Sequence, residues 1–135
     1  MEKILTGGCV CGEVKFTLED DFDNFYFCHC EQCRKMTGSG HASNLFTRPE
    51  NIKWEKGLES IKRYDHPTRA FSQVFCIHCG SGLPHLSKSG KALVVPAGAL
   101  DSEPAKQPDA HIFCSEEPGW HKAGLSAKRY PGFPE

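Results

Sequence analysis

Cys28-His29-Cys30-Glu31-Gln32-Cys33 is the stretch on which the reading of this chain turns. It packs three thiols into one short loop. A disulfide between Cys28 and Cys30 would close a small, strained ring, because disulfide geometry is restrictive. Thiolates from one loop can instead converge on an ion, and zinc takes soft ligands in a tetrahedron at ~2.3 Å. Working outward, a closer pair precedes the triplet, Cys9-Val10-Cys11, and another follows it, Cys76-Ile77-His78-Cys79. Only Cys114, the last of the eight cysteines, stands alone. A disulfide framework usually spreads its cysteines over a small secreted chain. Here they cluster, and Ile4 and Leu5 before Gly7-Gly8 make no signal-peptide core, so the expectation is metal binding in a cytosolic protein.

The grouping suggests two zinc ions. Cys9, Cys11, Cys76 and Cys79 make a closed four-sulfur site that ties the N-terminal loop to the middle of the chain, where ion affinity contributes to folding. Cys28, Cys30 and Cys33 leave one coordination position open, the pattern of a zinc that meets water or substrate. Spacing alone also permits Cys28 and Cys30 to pair with Cys76 and Cys79, leaving Cys9 and Cys11 spare.

The chain has 135 residues, 39% hydrophobic and 10% aromatic, which fits one domain over 1–135 with a packed core. With 16 basic and 17 acidic side chains the net charge is -1, so bulk charge gives no reason to expect nucleic acid as partner. No stretch approaches the ~20 apolar residues of a membrane helix. Val14, Phe16 and Leu18 alternate with polar neighbours as a half-buried strand. Further short strands are expected at 24–27, 42–46, 52–54, 60–64, 70–75, 83–86, 92–95 and 110–114, with one helical turn over Glu31 to Met36. Glycines and prolines punctuate them, and no long window carries a helical apolar period. The fold class is therefore all-β, of short antiparallel strands with little helix. Residues 101–109 read as an exposed connection. The irregular tail from Ser115 has Trp120, Leu125, Tyr130 and Phe133 to pin it to the body.

Three strings carry a family resemblance. Gly7-Gly8-Cys9-Val10-Cys11-Gly12-Glu13-Val14-Lys15-Phe16, Cys28-His29-Cys30-Glu31-Gln32-Cys33-Arg34-Lys35 and Phe75-Cys76-Ile77-His78-Cys79-Gly80-Ser81 resemble, in order and spacing, the motifs of the glutathione-dependent formaldehyde-activating enzymes, a family that includes centromere protein V. The tail, with His111-Ile112-Phe113 and Pro118-Gly119-Trp120, is similar too. The resemblance implies a zinc-organised β-tent. It assigns Cys9, Cys11, Cys76 and Cys79 to a structural zinc and Cys28, Cys30 and Cys33 to a catalytic one. It also implies a carbon–sulfur lyase or synthase acting on S-(hydroxymethyl)glutathione or a related small-thiol adduct, with glutathione as the small-molecule partner. Cys114 departs from the family's apolar or aromatic residue and reads as a small buried hydrophobe.

A free thiol has a pKa near ~8.5 and only the thiolate is nucleophilic, so zinc that binds substrate sulfur would hold the reactive form at neutral pH. Arg34-Lys35 reads first as a solvated cationic turn, with the alternative that it offsets the charge of three cysteinates or grips a glutathione carboxylate. His29 and His78 sit between ligands and are expected to point away from the ion. His41 is a candidate to line the site, and His111 a strand residue satisfied by a neighbour. His66, His85 and His121 carry no signal. Thr37-Gly38-Ser39-Gly40 reads as a plain turn. The rival readings are a non-catalytic zinc-organised interaction module, needing a fourth protein ligand at the triplet, and a redox protein cycling its thiols.

Overall fold

The computed structural model describes residues 3–134. Val14, Phe16 and Leu18 are all buried, and their alternation builds the first sheet. β1 (Ile4–Gly8) and β2 (Lys15–Glu19) form an antiparallel hairpin, and β5 (Lys53–Lys56) adds to the far edge of β2. The second sheet has five strands, in the order β11 (Ala110–Ile112), β3 (Asn24–Cys28), β4 (Ala42–Thr47), β10 (Leu93–Pro96) and β9 (His85–Leu86). The third joins β6 (Ile61–Asp65), β7 (Ser72–Cys76) and β8 (Gly82–Leu83). The helices are short: α1 (Glu31–Thr37) and α2 (Gly119–Gly124). No helix among the described residues is long and apolar enough to cross a membrane. The chain is all-β with little helix.

One core joins the sheets. Leu5 and Phe16 from the first meet Phe25, Leu45 and Val95 from the second and Val74 and Leu83 from the third. Trp54 closes it at the rim, edge-on to Phe16 with ring centroids 5.8 Å apart. Backbones approach closely here. A Cβ on Gly7 would meet the Phe16 ring and the Ala99 carbonyl oxygen at 2.5 Å. Asn51 ties the ends of β2 and β4: its side-chain oxygen accepts from the Glu19 N–H, and its amide donates to the Glu19 carbonyl and to Thr47 Oγ1.

Three expectations need correction. The pairing is not wholly antiparallel, because β11 runs parallel to β3 after the long connection over 101–109. The expected strand at 110–114 stops at Ile112: Phe113 takes a left-handed backbone with φ of 56°, which breaks the ladder and leaves Cys114 exposed rather than buried. The tail does not use its large side chains as pins. Trp120 is 63% exposed and Phe133 94%, and Leu125 and Tyr130 are exposed as well. Residues 83–86 split into two short strands around the buried Pro84, which has no N–H to give a ladder.

Candidate metal centres and active site

The first cysteine group is assembled from two loops. Cys9 and Cys11 follow β1, Cys76 ends β7, and Cys79 lies in the turn between β7 and β8. The four sulfurs lie within 4.8 Å of one another. Cys9 and Cys11 are 3.5 Å apart and Cys11 and Cys76 3.8 Å. A tetrahedron with a ~2.3 Å radius has edges of about 3.8 Å, so the donor set and its spacing fit a zinc ion. Backbone N–H groups aim at the sulfurs, from Val14 to Cys9 and from His78 to Cys76. The sulfurs divide charge unequally. Cys79 is drawn down to about 5 by hydrogen bonds from the Ser81 hydroxyl and N–H. Cys11 is pushed up to about 12, since the Glu13 N–H that favours its thiolate is outweighed by desolvation and the three other sulfurs. An unshared fourfold negative charge is costly, and a divalent cation removes that conflict.

The triplet sits where β3 runs into α1. Cys28 ends the strand, Cys30 is the N-cap and Cys33 lies on the first helical turn. The Cys30 sulfur accepts the Cys33 N–H at 3.4 Å, which is the capping bond. Gly38, left-handed at φ 66°, closes the helix through its N–H to the Arg34 carbonyl. All three sulfurs lie within 4.8 Å of one another and all three residues are buried. The Cys28 thiol is lowered to about 6, chiefly by the Cys33 thiol as hydrogen-bond donor, against burial. Cys33 is pushed strongly up by the same contact and by burial. Two cysteine-rich groups can thus hold metal ions, and the second offers three ligands where the first offers four.

Strand alternation opens the triplet to a groove of about 770 Å³. Tyr26 and Cys28 on β3, with Ala42 and Asn44 on β4, are two-residue neighbours on their strands and all line it. Cys33 and Phe71 are also in its wall. This volume is in the range of small-molecule sites.

The histidines went elsewhere. His41 does not line the groove; it stacks on Phe27 with centroids 4.4 Å apart. His29 is fully buried and donates to no thiolate. Its Nδ1 meets the Gly40 carbonyl at 3.2 Å, and its Nε2 meets His111 Nδ1 at 2.9 Å. His111 is satisfied by that neighbour, as expected. His78 contacts Ser60. Burial lowers His29 and His41 below the usual imidazole value. Thr37-Gly38-Ser39-Gly40 is a turn that satisfies itself: Thr37 Oγ1 donates to the Cys33 carbonyl and accepts the Ser39 N–H. His121, which had no sequence signal, packs its ring 4.8 Å from that of His29.

Comparison with solved structures finds a crystal structure of a Rhodobacter sphaeroides protein, a structural-genomics target, with a TM-score of 0.60 and 23% identity over 78% of this chain and 97% of that one. That likeness shows a shared fold. The family model described as glutathione-dependent formaldehyde-activating enzyme matches residues 4–116, which takes in every cysteine of the three motifs. The chain therefore belongs to the glutathione-dependent formaldehyde-activating enzyme family.

Proposed function

We propose that this protein is a zinc-dependent carbon–sulfur lyase or synthase that makes and breaks the bond between a small thiol and formaldehyde, with glutathione as the thiol. Cys28, Cys30 and Cys33 would hold the catalytic zinc, and Cys9, Cys11, Cys76 and Cys79 the structural one, within a single domain over 1–135. The observation that carries the reading is the number of ligands: the first group offers four sulfurs, a complete tetrahedron, while the buried triplet offers three and has Cys28 and Cys33 in the wall of the groove, which Cys9 of the first group also reaches. When bound there, zinc supplies one coordination position that favours a thiol in its thiolate form.

The chain's own residues do the rest. The strand face carrying Tyr26 and Asn44 presents polar groups in a wall of mixed apolar and polar side chains, as a peptide-like thiol requires. Lys88 also lines the groove, with its ammonium already donating to the His66 and Arg69 carbonyls, so it fixes that rim and leaves a positive charge there. In the forward direction a C–S bond forms and the formaldehyde π bond breaks. The resulting alkoxide takes up a proton, so the thiol's hydrogen ends on the hydroxymethyl oxygen. A donor must meet that alkoxide, and we assign that role to the Tyr26 hydroxyl and the Asn44 amide, a cross-strand pair two residues from the Cys28–Ala42 pair that lines the groove.

The test is NMR exchange between free glutathione and its formaldehyde adduct, with and without zinc-loaded protein. Cys30→Ser is the control, because serine keeps the N-cap of α1 while removing the thiolate. Faster exchange with the wild type and not with the variant supports the proposal. No acceleration above the uncatalysed rate overturns the formaldehyde assignment.

A further inference from the structure

We propose that His29, Glu117 and His121 form a third metal site, distinct from both cysteine groups, which takes a borderline divalent transition-metal ion on two imidazoles and one carboxylate. The ion would fasten the C-terminal segment to the side of the cysteine loop away from the groove.

The ligand atoms are already gathered. One ring nitrogen from each histidine and one carboxylate oxygen of Glu117 lie within 4.8 Å of one another. His29 is fully buried, and Glu117 and His121 are half-buried. Among the described residues no salt bridge engages Glu117. His121 Nε2 is buried with no hydrogen-bond partner among the described residues. A buried imidazole nitrogen left without a partner costs about 1–3 kcal/mol, and a cation is one species that would satisfy it. Two imidazoles and a carboxylate are the donor set that borderline divalent ions such as zinc and iron accept.

The scaffold holds these groups in place. The His29 N–H donates to the Ile112 carbonyl at 3.0 Å, and the Gly40 carbonyl engages Nδ1. A carbonyl only accepts, so the proton is on Nδ1, and the Nε2 lone pair accepts the His111 Nδ1–H at 2.9 Å. An ion on His29 Nε2 takes the place of that proton, so His111 gives up its donor contact when the site fills. On the other side, the left-handed Phe113 turns the chain out of β11, and the Glu116 carboxylate accepts the Glu31 N–H at 3.0 Å, docking the segment on the start of α1. Gly40 makes room for His121: a Cβ there would sit 2.7 Å from its Nδ1. None of the four clustered histidines lines the groove, so the site is separate from the substrate face.

The probe is Co2+, titrated by calorimetry and visible absorption into full-length protein whose cysteine sites are loaded with zinc. One further equivalent is expected, with ligand-field bands of a nitrogen–oxygen site and no thiolate-to-cobalt charge-transfer absorption. His121→Ala and the isosteric Glu117→Gln should each weaken that equivalent by at least about 100-fold, on the scale of losses seen when the support of a metal site is removed. Cys114→Ser, at an exposed cysteine outside both cysteine groups, should leave it unchanged. No further equivalent, an equivalent with thiolate charge transfer, or one that both variants retain would overturn the site.

Discussion

His29 Nε2 lies 2.9 Å from Nδ1 of His111, and this contact joins the cysteine loop to a strand 82 residues further along the chain. His29 itself is fully buried. His111→Ala should cost about 1–3 kcal/mol, the usual penalty for a buried polar atom stripped of its partner. Urea unfolding checks this, and His111→Asn, which keeps a donor, should recover part of the loss.

Asn51 carries a larger share of stability than its place in an apparent turn suggests. It is 3% exposed and makes three hydrogen bonds, two of them to the backbone of Glu19. Asn51→Ala strands the Glu19 N–H and carbonyl, and we expect a loss of about 2–4 kcal/mol. Thermal denaturation should show it, with Asn51→Asp recovering little because a carboxylate cannot donate to the carbonyl.

Gly57 stands at φ 85° with a hypothetical Cβ 2.1 Å from the Glu13 carbonyl oxygen, and Gly7 is crowded by the Phe16 ring. Alanine at Gly57 must push away the Glu13 backbone just after the first cysteine pair, and alanine at Gly7 the Phe16 ring and the Ala99 carbonyl. We expect Gly57→Ala to lower stability by at least about 1–3 kcal/mol, as overpacking does. Gly90→Ala is the comparison: it shares the positive φ but meets nothing within 4 Å, so only the backbone strain remains.

His85, on the groove, gives the fold a pH dependence. Burial holds it below the ordinary imidazole value, helped by Arg63 and opposed by the Leu83 carbonyl and by Asp65. In the unfolded chain it binds a proton near pH ~6.5, so the unfolded state holds more protons in the window below that value. Stability should therefore be full above about pH 6.5 and fall as pH drops through that window to the lowered folded value. Denaturant midpoints from pH 7.5 to 5 should show the slope, and His85→Gln should reduce it, the remainder belonging to His29 and His41, which burial lowers as well.

Thiol accessibility tests the metal centres directly. Cys114 is exposed and belongs to neither group, whereas the other seven gather at the two sites. In zinc-loaded native protein a thiol reagent should modify one residue quickly, and Cys114→Ser should abolish that fast phase. Chelation should release the remaining seven and lower the melting temperature, because ion affinity at a closed site is folding free energy. Several fast thiols in the zinc-loaded protein would speak against the two-centre reading.

The parts of this molecule legible in the sequence were those written in local pattern. Val14, Phe16 and Leu18 alternate and are buried, and the three cysteine groups gather into a set of four and a set of three, the partition the family resemblance implies and spacing alone leaves open. Cys30 and Cys33 are also the cap and first turn of a helix, so one motif encodes both structure and ligands. The misread parts depended on partners distant in sequence. Cys114 looked like a core residue in a strand, but one left-handed residue, Phe113, turned it outward. Trp120 and Phe133 had the chemistry of pins, but the exposed tail offers them no apolar cover. The histidine cluster draws on positions 29, 41, 111 and 121 and has no local period or spacing to betray it. The pairing of β11 with β3 creates it.

The separation of Cys11 from Cys76, 65 residues apart in the chain, also sets a timetable for biosynthesis. At about 5–20 residues per second, the first two thiols leave the ribosome several seconds before the second pair exists. The triplet, contained in one loop and the turn that follows, needs no such wait. The two centres would thus be completed in the order of their span rather than of their first residue, and the early pair would rely on a reducing compartment to remain unoxidised until its partners arrive.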